Sequence, residues 1–259
     1  MTAAIDGSGA PAPWSTEPAT AVLVLADGTV LEGKGFGATG AVEAELCFNT
    51  ALTGYQEILT DPSYAGQIVT FTFPHIGNVG ANDEDIEDLT PARRAGAVGA
   101  VFKASITEPS SYRSAGHLDA WLKARGIIGL SGIDTRALTA HIRANGVPNA
   151  VIAHEPSGQF EIDALKARAA GWSGLVGLDL ARDVTSGQTA SWSETPWVWD
   201  EGYGAAGEPT MHIVAIDYGV KRNILRLLSG LGAKVTVMPA SSTAEEVLAH
   251  EPDGIFLSN

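Results

Sequence analysis

The sequence predicts an α/β protein in two parts: a β-rich first half followed by a unit that begins a doubly wound parallel sheet. Two observations carry this prediction. The first half holds alternating, β-branched runs punctuated by Gly and Pro, whereas the chain from Met211 reads strand, helix, strand, helix, strand. The run "HIVAIDY" is also nearly continuous in apolar residues, as strands covered on both faces of a parallel sheet are.

The elements follow in order. "AVLVLADGTVLEGKGFG" places two apolar runs around Asp27-Gly28, a hairpin signal. "QIVTFTF" (Gln67 to Phe73) alternates and is rich in β-branched and aromatic residues, so it reads as a strand. "PHIGNVG" is a loop fixed by Pro74, Gly77 and Gly80, and "AGAVGAVFK" is a further strand. "SAGHLDAWLKARG" reads as a helix capped by Ser114 and stopped by Gly126. "IDTRALTAHIRANG" is a helix with Asp134 as N-cap, Leu138 and Ile142 on its apolar face, and Gly146 as its stop. "NAVIA" is a short strand and "EIDALKARAAG" a third helix. Between Gly171 and Pro209 the pattern breaks down around Trp172, Trp192, Trp197 and Trp199. Four tryptophans are too apolar for a free linker, so this is an ordered connection ending in a more flexible "EGYGAAGEPT". After it, "GVKRNILRLLSGLG" is a helix and "AKVTVMPA" a strand. "STAEEVLAH" is a helix with a capping box at Ser242/Glu245 or Thr243/Glu246, and "GIFLSN" is a last strand. The expected organisation is a disordered extension over 1–20, a first domain over 21–170, a Trp-containing connection over 171–210 and a second domain starting over 211–259.

Composition narrows the function. A chain of 259 residues, 45% hydrophobic and 18% charged, has the make-up of a globular protein able to bury a core. A net charge of −14, with Lys and Arg scattered, argues against nucleic acid and against an anionic membrane surface. The densest cationic group, Lys221, Arg222 and Arg226 on one helix, reads as a solvated face. Lys221 and Arg222 stand at the unfavourable end of the helix dipole, which also makes them a candidate interface with an acidic partner. No apolar run is long enough to span a bilayer, and the first residues lack a charged-then-apolar leader pattern. The single cysteine, Cys47, cannot close an intrachain disulfide, which fits a reducing compartment such as the cytoplasm.

Cys47 is not a promising nucleophile. It lies in the alternating stretch "EAELCFNT" behind two acids, and nearby carboxylates raise a thiol pKa. A small buried hydrophobe describes it better. In "TDPSYAG", Asp-Pro-Ser is ordinary turn chemistry, and the same turn could present Ser63 to a polar ligand; the pattern alone leaves both readings open. His75 has no second His, Cys or carboxylate at metal-ligand spacing, so no metal site is expected. "AIDYGVKRN" lacks both the dinucleotide and the P-loop glycine patterns.

Four blocks resemble one family. They are "FNTALTGYQEILTDPSYAGQIVTFTFPHIGNVG" (Phe48 to Gly80), "SGIDTRALT" (Ser131 to Thr139), "AIDYGVKRNILRLL" (Ala215 to Leu228) and "PDGIFLSN" (Pro252 to Asn259). In colinear order from about Ala21, they resemble the small, glutamine-hydrolysing subunit of carbamoyl phosphate synthase. The resemblance implies an N-terminal β/β/α domain followed by the first half of a class I glutamine amidotransferase doubly wound sheet. It implies a Cys–His–Glu triad that releases ammonia from glutamine. The ammonia would pass to a large subunit that uses ATP, Mg and bicarbonate to make carbamoyl phosphate for pyrimidine and arginine synthesis. Residue by residue, Ser63 matches the family serine that contacts glutamine. The family's Gly-Pro-Gly loop and triad find no match here, and Cys47 does not align with the nucleophile. The expectation is therefore a truncated small subunit with no catalytic residue in these 259 positions and no cofactor of its own, inactive alone and partnered by the large subunit. The alternative is a non-catalytic docking module for a large synthetase partner.

Overall fold

Asp27 sets the first turn: its Oδ1 accepts the Thr29 N–H at 2.9 Å, and Gly28 takes a positive φ of 88°. This joins β1 (Ala21–Leu25) to β2 (Val30–Gly37) as the expected antiparallel hairpin. The computed structural model describes residues 18–89 and 96–258. Most of the tract expected to be disordered over 1–20, and Asn259, therefore lie outside the described residues; Thr20 is within them, its N–H bonded to the Gly33 carbonyl.

The first unit continues with β3 (Gly40–Asn49), α1 (Tyr55–Thr60), β4 (Gln67–Phe71), β5 (Gly99–Val101), α2 (Leu118–Arg125), β6 (Ile128–Ser131), α3 (Thr135–Asn145), β7 (Asn149–His154) and α4 (Ile162–Gly171). Its seven strands close into a barrel in the order β1-β2-β6-β5-β4-β3-β7, sealed by antiparallel pairing of β7 with β1. The run β3, β4, β5, β6 is parallel. Leu23, Leu25, Leu46, Ile68, Leu130 and Ile152 fill the interior, each fully buried. Burial of each such side chain contributes about 1.5–3 kcal/mol. A second cluster, Phe71, Phe102, Leu118 and Leu122, lies beneath α2, and a third, Val22, Val24, Leu165 and Ala169, beneath α4.

Local signals set α3 as expected: the Asp134 carboxylate accepts the Ala137 N–H, Leu138 and Ile142 are buried, and Gly146 ends the helix. The α2 start differs from expectation. His117, not Ser114, is the cap, its Nδ1 accepting from Asp119 N at 3.1 Å. Ser114 is held in a preceding turn, with its N–H on Ser111 O, and the Ala81–Gly116 bridge keeps the chain extended past it.

The connecting segment is ordered. It contains α5 (Leu180–Val184), β8 (Ala190–Trp192), β9 (Glu194–Val198) and β10 (Gly202–Ala205). The tract "EGYGAAGEPT", expected to be more flexible, supplies β10, which pairs with β9. The second unit then runs β11 (Met211–Asp217), α6 (Arg222–Gly230), β12 (Ala233–Pro239), α7 (Ala244–Leu248) and β13 (Gly254–Leu257). The capping box of α7 is the Thr243/Glu246 pair. The sheet order is β13-β11-β12-β8, parallel except for β8, which the connection lends as an antiparallel edge with Trp192 packed on the Val235–Val237 side.

Candidate functional site

The chain leaves β11 for α6 and β12 on one side, and reaches β13 on the other, so the strand order reverses at the carboxyl end of β11. That end is built by Asp217, which is 1% exposed. Its Oδ1 accepts the N–H groups of Gly219 and Val220 at 2.9 and 2.8 Å, and its Oδ2 accepts from Ser186 N at 2.6 Å. Gly219 carries φ of 110°, which an L side chain rarely adopts. Beside it the Tyr218 N–H donates to Ser258 Oγ at 2.8 Å, tying β11 to β13 across the switch point.

The Asp-Pro-Ser turn of the first unit comes to this end of the sheet. Asp61 ends α1, Pro62 opens a 3-10 turn through Tyr64, and the Asp61 Oδ1 accepts the Ser63 N–H at 2.9 Å. The other Asp61 oxygen pairs with Lys221 Nζ at 3.2 Å. Ser63 is exposed at the apex, and Tyr64 Oη accepts from Asn49 at 2.9 Å below it. Glu57, Ile58, Asp61, Glu87, Lys221, Asn223 and Ile224 surround a pocket of about 340 Å³. Ser63 stands beside this pocket, not in its wall. Burial pushes the carboxyls of Glu57 and Glu87 above their ordinary range. The pocket thus sets one ammonium, already paired with Asp61, among carboxylates and the apolar side chains of Ile58 and Ile224.

The second anchor is the loop Glu84–Asp88. Glu87 is 6% exposed and accepts from Asn223 N at 2.8 Å, and its carbonyl accepts the Arg222 N–H at 3.0 Å. The Arg222 Nε donates to Asp88 O at 3.0 Å. Lys221 thus meets a carboxylate of its own chain, Asp61, whereas Arg222 bonds only backbone carbonyls, those of Glu87 and Asp88. Asp88 also pairs with Arg125, and Arg113 pairs with Glu84 and Asp85 while covering the Trp197 ring at 5.1 Å.

Arg226 corrects the expectation of a solvated face. It is 2% exposed, bonds Glu194 at 2.6 Å, lies 3.8 Å from Glu87 and stacks 3.7 Å over the Tyr203 ring. The β9–β10 hairpin folds over α6 and takes its guanidinium out of water. The sequence reading does not single out Glu87; the acidic run at 83–88, without cations of its own, is the available signal.

Cys47 lies in β3 with Sγ 3.6 Å from Ile68 O. Burial first, and then the Glu45 carboxylate, push its thiol up to about 12. His75 is exposed and edge-on to Phe73. Among the described residues no group of three or more His, Cys, Asp or Glu could hold a metal, and no helix is long and apolar enough to cross a membrane.

Comparison with known proteins gives two family matches. The family described as carbamoyl-phosphate synthase small chain, CPSase domain, matches residues 23–152. The family described as glutamine amidotransferase class-I matches residues 214–259. Among curated proteins, the carbamoyl phosphate synthase small chain of Mesorhizobium japonicum is 75% identical over 95% of this chain and 62% of its own length. Those of Rhizobium meliloti and Agrobacterium fabrum are 74% and 71% identical, again over 62% of their length. The chain thus spans less than two thirds of these relatives. Among solved structures, an aminopeptidase from Aneurinibacillus sp. strain AM-1 aligns over 93% of this chain and 57% of its own at TM-score 0.31 and 12% identity, which carries no argument.

Proposed function

Because the chain belongs to the carbamoyl-phosphate synthase small-chain family, we propose that it serves as the glutamine-handling subunit of a glutamine-hydrolysing carbamoyl phosphate synthase. In this reading Ser63 contacts glutamine from the apex of its turn, and Asp61 and Lys221 fix that turn against the switch point of the second sheet. Ammonia passes to a large synthetase subunit in the cytoplasm, where ATP, Mg and bicarbonate are used; this subunit needs no cofactor. The observation that carries the reading is the Asp61–Lys221 pair at 3.2 Å, which brings the turn to the place where open α/β sheets bind ligands.

The 259 residues by themselves do not hydrolyse glutamine in this reading. Thioester chemistry needs an activated thiolate, and their one thiol is strand-bound and held protonated. Steady ammonia release by this chain would overturn that point. Removing one binding hydroxyl while the chemistry is kept raises KM more than it lowers kcat. Ser63→Ala in the full-length enzyme with its large subunit should therefore raise KM for glutamine about tenfold, the effect of a lost hydrogen bond worth about 1.4 kcal/mol. An unchanged KM would leave Ser63 a turn residue only. The rival reading, a docking module alone, predicts large-subunit binding with no glutamine heat in calorimetry.

A further inference from the structure

In the barrel unit, α3 presents a stripe at helical spacing: Arg136, Thr139, Ala140 and Arg143. Its other face, with Leu138 and Ile142, is buried in the core. Small Thr139 and Ala140 leave a hollow between the two arginines. Lys103, from the loop after β5, and Thr72 and Pro74, from the end of β4, close it into a pocket of about 470 Å³. No carboxylate lines this pocket, and it shares no residue with the Asp61–Lys221 pocket. Among the described residues Lys103, Arg136 and Arg143 make no ion pair, as is also true of several other surface cations; what distinguishes these three is that they line one concavity. Asp134, the nearest acid in sequence, bonds the Ala137 N–H as the helix cap.

A chain of net charge −14 has carboxylates to spare for pairing. Three cations gathered in one concavity without any repel one another, and an occupant of opposite charge relieves this. We propose that this pocket is a binding site for a small, multiply charged oxyanion of the phosphate class. Two guanidinium forks and one ammonium offer separate partners to three terminal oxygens, more than a single carboxylate presents; the Thr139 hydroxyl is already spent on the Thr135 carbonyl at 2.7 Å. The volume falls in the range of small-molecule sites. The inference does not rest on the glutamine reading.

The test is a titration of the intact chain with inorganic phosphate against sodium chloride at equal ionic strength, read by thermal shift and by amide NMR shifts. Phosphate should raise the melting temperature saturably in the millimolar range and move the signals of α3, the end of β4 and the loop after β5. Arg136→Gln with Arg143→Gln should weaken binding by about tenfold or more, as expected for lost charge-assisted bonds. Lys103→Gln, on a separate loop, gives an independent weakening if the double variant folds poorly. An equal response to chloride, shifts located elsewhere, or undiminished binding by Lys103→Gln and the double variant would overturn the proposal.

Discussion

Lys221 Nζ lies 3.2 Å from Asp61 Oδ2, so the loop that follows the first strand of the second unit is pinned to the turn that ends the first helix of the barrel unit. Asp61 has a double task, since its other oxygen holds the Ser63 N–H.

The two tasks separate by substitution. Asp61→Ala removes cap and ion pair together and should cost about 1 kcal/mol, the usual worth of a capping side chain. Lys221→Met removes only the pair, whose lysine is 36% exposed and whose carboxylate is 10% exposed, and should cost less than about 1 kcal/mol. Urea unfolding followed by circular dichroism measures both; equal losses would mean that the cap contributes nothing.

Arg226 should tolerate replacement badly. Arg226→Leu leaves Glu87 and Glu194 facing each other without their cation, and breaking a buried pair from one side costs about 3–5 kcal/mol. Arg226→Lys should recover little of this, because an ammonium offers neither the fork for Glu194 nor the planar stack over Tyr203. A lysine variant of wild-type stability would refute the geometric account.

Glu87 gives a pH signature. Burial raises its carboxyl in the folded chain above the unfolded value, so protonation favours the fold. That contribution is present in full below the unfolded pKa and is lost as pH rises through the folded one. Glu87→Gln lacks this titration. Relative to it, the wild type should gain stability when the pH is lowered from neutrality into the acid range. Parallel stability curves for the two proteins would contradict the burial argument.

Cys47 should be silent to thiol reagents in the folded chain at pH 8 and react once the chain is denatured. Its thiol lies at about 12 against an ordinary 9.0, so the unfolded chain ionises first and stability falls between those two values. Cys47→Ala should leave glutamine binding unaltered. Rapid labelling of the native protein would show an accessible thiolate instead.

Much of the fold was legible because its signals are local. The Asp27-Gly28 turn, the Asp134 cap with its Gly146 stop, and the strand–helix alternation after Met211 each announce themselves within a few residues. Barrel closure was not legible: pairing of β1 with β7 joins distant segments and leaves no mark in either. The start of α2 was misplaced because the Ala81–Gly116 bridge, a tertiary contact, holds the chain extended past Ser114. At the site, Ser63 and Lys221 could be picked out singly, but their convergence through Asp61 could not. Arg226 was misread for a related reason: the hairpin that buries it comes from a segment with no strong period.

The pairing of Ala21 with His154 has a temporal meaning. During synthesis β1 emerges first, yet its second neighbour arrives only when β7 does, so the barrel waits half-made with two open edges. All the strands of the parallel run from β3 to β6 are made before then, so closure of the barrel can only follow them. Strand β8 waits longer, because its partner β12 is made after β11 and α6. Order of synthesis therefore favours assembly from the first unit to the second, with β8 joining only once β12 is made and β13 completing the sheet after it.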